Sequence, residues 1–395
     1  MKTNTAFRSL LALILLGDIF FLSAQPNNGL APEVTDLNSK DVSYGLEAKL
    51  PDLPQAYLSG APKDLGDGIP VGVLGVNGGD KEAILKFAKE IEAGQHGEID
   101  SLLISQKGKL LFESYYRRGR INYPHYQMSI TKSYTAMAIG RAIQLGHLTM
   151  ADLDKPAVGF LKHLDQSKLV AGTASITLAE AMNMRSGIRI DDAKAKELMK
   201  LPANLKGQGQ IQAYLENSAP IPNAPRKFKY QGADPSITMQ VLETVVPGSA
   251  REFIAKELFE KMGTTNFVWE NDVSGLPKSA AGSSLRSRDM LKWGMLILAN
   301  GKWQGEQLIP ASFVERATSP ISLSYGKSYY GYFWWVEDFT VGGKSYHSVQ
   351  GRGAGGQFIF MFPELGLIAV VTAHNKGMGF LDTAPNRIIP AFIAK

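Results

Sequence analysis

The chain has 395 residues, 44% of them hydrophobic, enough to bury one large core or two closely packed lobes. It contains no cysteine, which excludes a thiol nucleophile, a zinc–thiolate site and a lipidated N-terminal cysteine. The net charge of +5 comes from bases scattered along the chain, so a nucleic-acid footprint is not expected.

Lys2 and Arg8 precede the apolar run Leu10-Leu11-Ala12-Leu13-Ile14-Leu15-Leu16, and Leu22-Ser23-Ala24 ends in small residues. This is the layout of a signal peptide over residues 1–24, which predicts export to the periplasm or medium. The run is short and Asp18 interrupts it, so stable membrane insertion is not expected. Residues 25–79, rich in Pro, Gly, Asp and Asn, read as an extended arm around a body at 80–395.

Within that body, helical spacing is predicted from Lys81 to Ala93. A hairpin follows, with Ile99–Ser105 and Leu110–Tyr116 flanking a turn at Lys107-Gly108. An apolar helix from Ser129 to Leu145 is stopped by Gly146. Residues 149–262 show short helices and loops, among them Ile176–Met184 with Thr177 as its cap and Phe253–Met262. An amphipathic helix spans Ser287–Leu298. Strand patterns then return at Tyr330–Val336, Ser345–Val349, Gln357–Phe362 and Leu367–Thr372, with a last helix near Ile388–Ile393. Strands at both ends with helices between predict an α+β fold: one antiparallel sheet built from N- and C-terminal segments, with a mostly helical insertion.

The chemistry points to Ser129-Ile130-Thr131-Lys132. Residues three apart share a helix face, so the Ser129 hydroxyl and the Lys132 amine meet on one wall. A serine needs a neighbour to take its proton, and a lysine serves if burial lowers its pKa. The N-terminal N–H of the helix at Ser129 is a candidate oxyanion donor. Alone, the pattern equally fits an N-cap serine with a solvated lysine. A second match, Ser324-Tyr325-Gly326-Lys327, lies among glycines and tyrosines and reads as loop.

Further stretches run in a recognisable order: Asp67–Gly72, Ser101–Ile104, Gly108–Glu113, Ser129–Ser133, Met184–Gly187, Phe228–Asp234, Gly282–Asp289 and Gly355–Phe360. In these, from about residue 65 to 395, the chain resembles the serine β-lactamase and penicillin-binding-protein superfamily. The likeness is to its class C side and to the related esterases and 6-aminohexanoate-dimer hydrolases. The resemblance implies that Ser129 is acylated, Lys132 handles its proton and Tyr230 relays a proton to the leaving group. It implies a β-lactamase/transpeptidase-like fold, a small-molecule substrate and no cofactor.

At the third motif, where the family places Lys-Thr-Gly or His-x-Gly, this chain reads Gly351-Arg352-Gly353-Ala354-Gly355-Gly356-Gln357. Ala354 stands at the cationic position, and Arg352 is a candidate to replace that charge. Gly355 and Gly356 fit a strand edge that substrate approaches closely, and the Gln357 N–H is a candidate second oxyanion donor. Gln231 stands where class C enzymes have asparagine. Both departures favour an ester or amide over a β-lactam or D,D-peptide, which remain the alternative, as does a non-catalytic ligand-binding relative. His347 lines the cleft or is structural. The six histidines form no H-E-x-x-H, so no metal is expected. Gly351, Gly353 and Gly356 satisfy G-x-G-x-x-G, but a strand pattern follows, so no dinucleotide site is expected. The pattern specifies no oligomeric state.

Overall fold

The computed structural model describes residues 31–393, so the predicted signal peptide lies outside the described residues. Two distant segments build one sheet. The N-terminal part supplies β1 (Tyr57–Ser59), β2 (Ile99–Gln106) and β3 (Lys109–Tyr115). The C-terminal part supplies β4 (Ser322–Leu323), β5 (Tyr329–Tyr330), β6 (Trp335–Val341), β7 (Lys344–Gly353), β8 (Gln357–Phe362) and β9 (Leu367–Ala373). Their order is β1-β3-β2-β9-β8-β7-β6-β5-β4, antiparallel throughout. The two halves join where β9 pairs with β2, with Val370 opposite Leu103.

Tight turns impose this topology. Lys107 and Gly108 have φ 49° and 76°, and Gly342 and Gly343 have φ 59° and 79°, the left-handed pairs that join strands across two residues. Along β8, Phe358, Phe360 and Phe362 enter one core while Ile359 and Met361 enter the other, as a period of two demands. The helices α1 (Lys81–Glu92) and α5 (Phe380–Phe392) cover the first face, with Phe87, Ile91, Phe380 and Ile388 in contact with it. On the second face lie α2 (Ile130–Gln144) and α4 (Ser287–Leu298), and α3 (Ala233–Val245) packs against α2. The α4 helix sits so close that a Cβ on Gly294 would lie 2.7 Å from Ile368 Cγ2.

Three expectations need correction. Tyr330–Val336 is not one strand: the chain turns at Gly331–Trp334, where Phe333 has φ 59° and a Cβ on Gly331 would strike the Ala317 carbonyl. Uninterrupted aromatic residues hid that break from periodicity. The last helix starts at Phe380, not near Ile388, and runs through Pro385 and Pro390. Its buried face of Phe380, Ala384, Ile388 and Phe392 outweighs the backbone hydrogen bonds that proline forfeits. The expected helix at Phe253–Met262 starts at Ala250 instead, capped by Ser249, and passes through a π turn at Ala255–Phe259.

The arm is anchored to the body at two points. Its strand β1 extends the sheet, and its short helix Tyr44–Glu47 buries Glu47. The Glu47 carboxylate pairs with His125 Nδ1 and accepts from the Tyr126 N–H at 2.8 Å. Burial lowers the His125 pKa, but the adjoining carboxylate raises it more, so the net shift is upward. A raised histidine pKa contributes stability that is fully present below its unfolded value of 6.5 and lost as pH rises through the folded one. Glu47→Ala is therefore expected to cost about 3 kcal/mol at pH 6, because it strands a buried charge, and less at alkaline pH. Urea midpoints check this, with the exposed Leu46→Ala expected near zero.

Candidate active site

The chain enters the site through the short strand His125–Tyr126, paired with Ser283–Leu285. Gln127 then donates its N–H to the Ser283 carbonyl at 2.8 Å. Met128 adopts φ 49°, a conformation uncommon for a residue with a side chain, and the bend places Ser129 at the head of α2. Thr131 Oγ1 bonds the Met128 carbonyl at 2.8 Å and holds the bend.

Ser129 occupies the N-cap position, yet its hydroxyl makes no capping bond. It receives a hydrogen bond from Lys132 Nζ at 2.9 Å instead. Lys132 is only 4% exposed; Nζ also donates to the Ala280 carbonyl at 2.6 Å and lies 4.7 Å from the centre of the Tyr230 ring. Burial lowers its pKa to about 7. Near neutral pH the amine is thus deprotonated in a large fraction of molecules, and the same contact then runs from Ser129 O–H to Nζ.

Tyr230 packs among Tyr330 and Trp335, with ring centres 6.1 and 5.6 Å away. Burial raises its pKa to about 12, opposed by a hydrogen bond with the Ser129 hydroxyl, so it holds its proton at neutral pH. One small space therefore holds a hydroxyl, an amine able to accept a proton and a phenol able to donate one.

The strand beside α2 is β7. A Cβ on Gly351 would lie 3.2 Å from Ile130 Cγ2, and one on Gly353 only 2.5 Å from the Gln127 carbonyl oxygen. Glycine here permits the close approach expected from the sequence. Among the described residues the N–H groups of Ser129 and Ala354 have no protein acceptor. Gln357 opens the next strand, β8, opposite Gly353, and its side-chain amide bonds both backbone groups of Ala373. Gly355 and Gly356, at φ 82° and 96°, form the turn between the two strands.

The remaining candidates serve other partners. Arg352 is buried, donating to Glu337 Oε2 at 2.6 Å and Gln350 Oε1 at 2.7 Å, and lies 4.9 Å from the centre of the Trp335 ring. Its charge is matched by Glu337 and does not replace the missing motif cation. His347 lies toward the other end of β7, bonded to Asp338 at 2.9 Å on the partly exposed surface. Gln231 turns its amide to Ser186 Oγ, at 3.2 Å, and to Asp234. Asp234, fully buried, also accepts from Ser186 N and Oγ at 3.1 and 2.9 Å. Burial pushes its pKa up to about 6. This cluster ties the segment carrying Tyr230 to the Met184–Gly187 turn.

Two parts of the site escaped sequence reasoning. The Ala280 carbonyl that orients Lys132 carries no side-chain signal. The aromatic wall of Phe228, Tyr325, Tyr330 and Trp335 comes from separate elements, and its trace was an aromatic run that reads as core. The donor atoms of Glu47, Asp100 and His374 gather within 4.8 Å of one another. Their charges are already matched, by His125 on Glu47 and by Arg118 and His374 on Asp100, so a cation does not suit them.

Known structures share this architecture at low identity. The "Putative 6-aminohexanoate-dimer hydrolase from Bacillus anthracis" is 19% identical over 76% of this chain and 80% of its own, with a TM-score of 0.63. A class C β-lactamase is 14% identical over 80% of this chain and 97% of its own, at a TM-score of 0.62. A D-stereospecific amidohydrolase from Streptomyces sp. is 16% identical over 78% and 98%, at 0.57. No curated protein sequence matches the chain. Residues 87–390, well over half of the chain, match the beta-lactamase family, and the chain belongs to it.

Proposed function

We propose that this protein is an exported serine hydrolase that cleaves an ester or amide bond through an acyl-enzyme on Ser129. The observation that carries the reading is the 2.9 Å contact between the Ser129 hydroxyl and a buried amine whose pKa lies at about 7. Ser129 Oγ attacks the substrate carbonyl carbon while Lys132 Nζ takes the proton. The oxyanion is held by the N–H of Ser129 and by that of Ala354 at the end of β7, in place of Gln357, which stands opposite Gly353 in the ladder. The bond to the leaving group then breaks, and the departing alcohol or amine receives its proton through Tyr230. Water attacks the acyl-enzyme with the same groups in reverse, so that Ser129 leaves with a proton. No cofactor enters the scheme.

Export rests on the N-terminal layout alone, and the preference for esters or amides rests on the missing third-motif cation. Neighbours of similar fold bear the names of an amidohydrolase and a β-lactamase, which frames the test. A fluorophosphonate probe is expected to add one phosphonyl group at Ser129, read by intact mass and peptide mapping. No adduct at any pH favours a ligand-binding protein. Faster turnover of a chromogenic cephalosporin than of p-nitrophenyl esters overturns the substrate preference.

Tyr230→Phe keeps the ring packing and removes the donor. It is expected to lower kcat about a hundredfold on an amide, whose leaving amine must be protonated. The loss on a p-nitrophenyl ester should be under about tenfold, because that leaving group departs as an anion. An equal loss on both removes the relay from the scheme.

A further inference from the structure

Tyr230 sits on a stretch, residues 226–231, that belongs to no helix or strand. The place of its hydroxyl therefore depends on what ties that stretch down. One tie is the Lys229 N–H, which donates to the Met184 carbonyl at 2.9 Å. The other is made by Gln231, the residue next to the phenol. Its Nε2 donates to Asp234 Oδ2 and lies 3.2 Å from Ser186 Oγ. Asp234 stands in the first turn of α3, and α3 packs against α2, the helix headed by Ser129 and Lys132. A line of contacts thus runs from the helix of the nucleophile to the neighbour of Tyr230.

The chemistry of that carboxylate argues for more than packing. Burial pushes its pKa up to about 6, so above neutral pH it is ionised and only accepts hydrogen bonds. It forms no ion pair among the described residues. Arg189 favours its ionised form from nearby, but donates its Nη1 to the Ile188 carbonyl at 2.6 Å. The bonds Asp234 receives come from Ser186 and Gln231, and none comes from an N–H of its own helix. A buried charge without a counter-ion is costly, and here its whole grip falls on the turn and the residue that flank the phenol's segment.

We propose that Asp234 and Gln231 are positioning residues for the proton relay: the carboxylate holds the Gln231 amide and so fixes the Tyr230 hydroxyl against Ser129, with neither residue touching the substrate. This rests on the hydrolase reading above. A relay group displaced by about 1 Å loses much of its effect, and the loss is felt where the leaving group needs a proton.

The test measures kcat and KM on an amide and on a p-nitrophenyl ester, at about pH 8, with the full mature chain. Gln231→Glu sets two carboxylates against each other, and Gln231→Met removes the donor while keeping the length of the side chain. Each is expected to lower kcat on the amide about tenfold and on the ester under about threefold, with KM little changed. Adding Asp234→Asn to Gln231→Glu exchanges donor and acceptor across the same contact, and should return the amide kcat to within about threefold of the wild type. On a Tyr230→Phe background, Gln231→Glu should cost under about twofold more, because the group it displaces is already gone. Equal losses on amide and ester, no recovery in the double variant, or a further tenfold loss beyond Tyr230→Phe each overturn the positioning role. A wild type that still takes the fluorophosphonate on Ser129 then spares the hydrolase reading. No wild-type adduct overturns both.

Discussion

Ser129→Ala is expected to abolish the phosphonyl adduct and to lower kcat by at least about a thousandfold on every ester and amide the wild type cleaves. The size follows from the chemistry. Without Oγ no acyl-enzyme forms, and what remains is the binding of the carbonyl between two amides, which is weak catalysis of direct water attack. Folding should be unaffected, because the Ser129 hydroxyl caps no N–H of α2 and Lys132, which donates to it, keeps the Ala280 carbonyl. The variant should therefore melt within a degree or two of the wild type. Retained turnover at a folded, alanine-bearing site sends the chemistry elsewhere, with Ser324 the first place to look.

Lys132→Met is expected to be nearly as damaging, about a thousandfold in the rate of acylation, because no other group touching Ser129 can accept its proton near neutral pH. Tyr230, with its pKa raised to about 12, holds its proton there. In the wild type the acylation rate should rise with pH through about 7, as the amine loses its proton, and level off above. The Met variant should lose that inflection along with its rate. Stability should move the other way. The lysine pKa is lowered from 10.5 in the unfolded chain to about 7 in the folded one, so between those values the unfolded chain binds the extra proton. The wild type accordingly gains stability as pH rises across that window. An apolar side chain of similar length removes the penalty, so Lys132→Met should melt at or above the wild-type temperature at pH 7. A variant that is inactive because it is unfolded fails this check, and a pH–rate profile flat from 6 to 8 in the wild type removes Lys132 as the base.

What was legible beforehand lies in segments whose chemistry is local. The hairpin at Lys107-Gly108 follows from a turn only such residues make comfortably, and α2 ends at Gly146 for the same backbone reason. The Ser129–Lys132 contact is legible too, since both side chains stand on one helix and the helix sets their separation. The proline-bearing α5 was not, because the burial that sustains it comes from the sheet it covers. Nor was the break at Gly331–Trp334, forced by the Ala317 carbonyl.

By itself the sequence determined that Ser129 and Lys132 stand one turn apart on one face, because a helix carries that geometry within itself. It also determined that strands from both ends form one antiparallel sheet, since the stretch between them reads as helices and loops and the two strand groups have only each other to pair with. Only the tertiary structure decided that the amine is dry, that Arg352 belongs to Glu337, that Gln231 faces Asp234 and that His347 points to the surface. A residue type states what a side chain is able to do, whereas its charge state and its partner depend on groups brought in from far along the chain. Those groups, such as the carbonyl of Ala280 over Lys132, exert their effect through position alone.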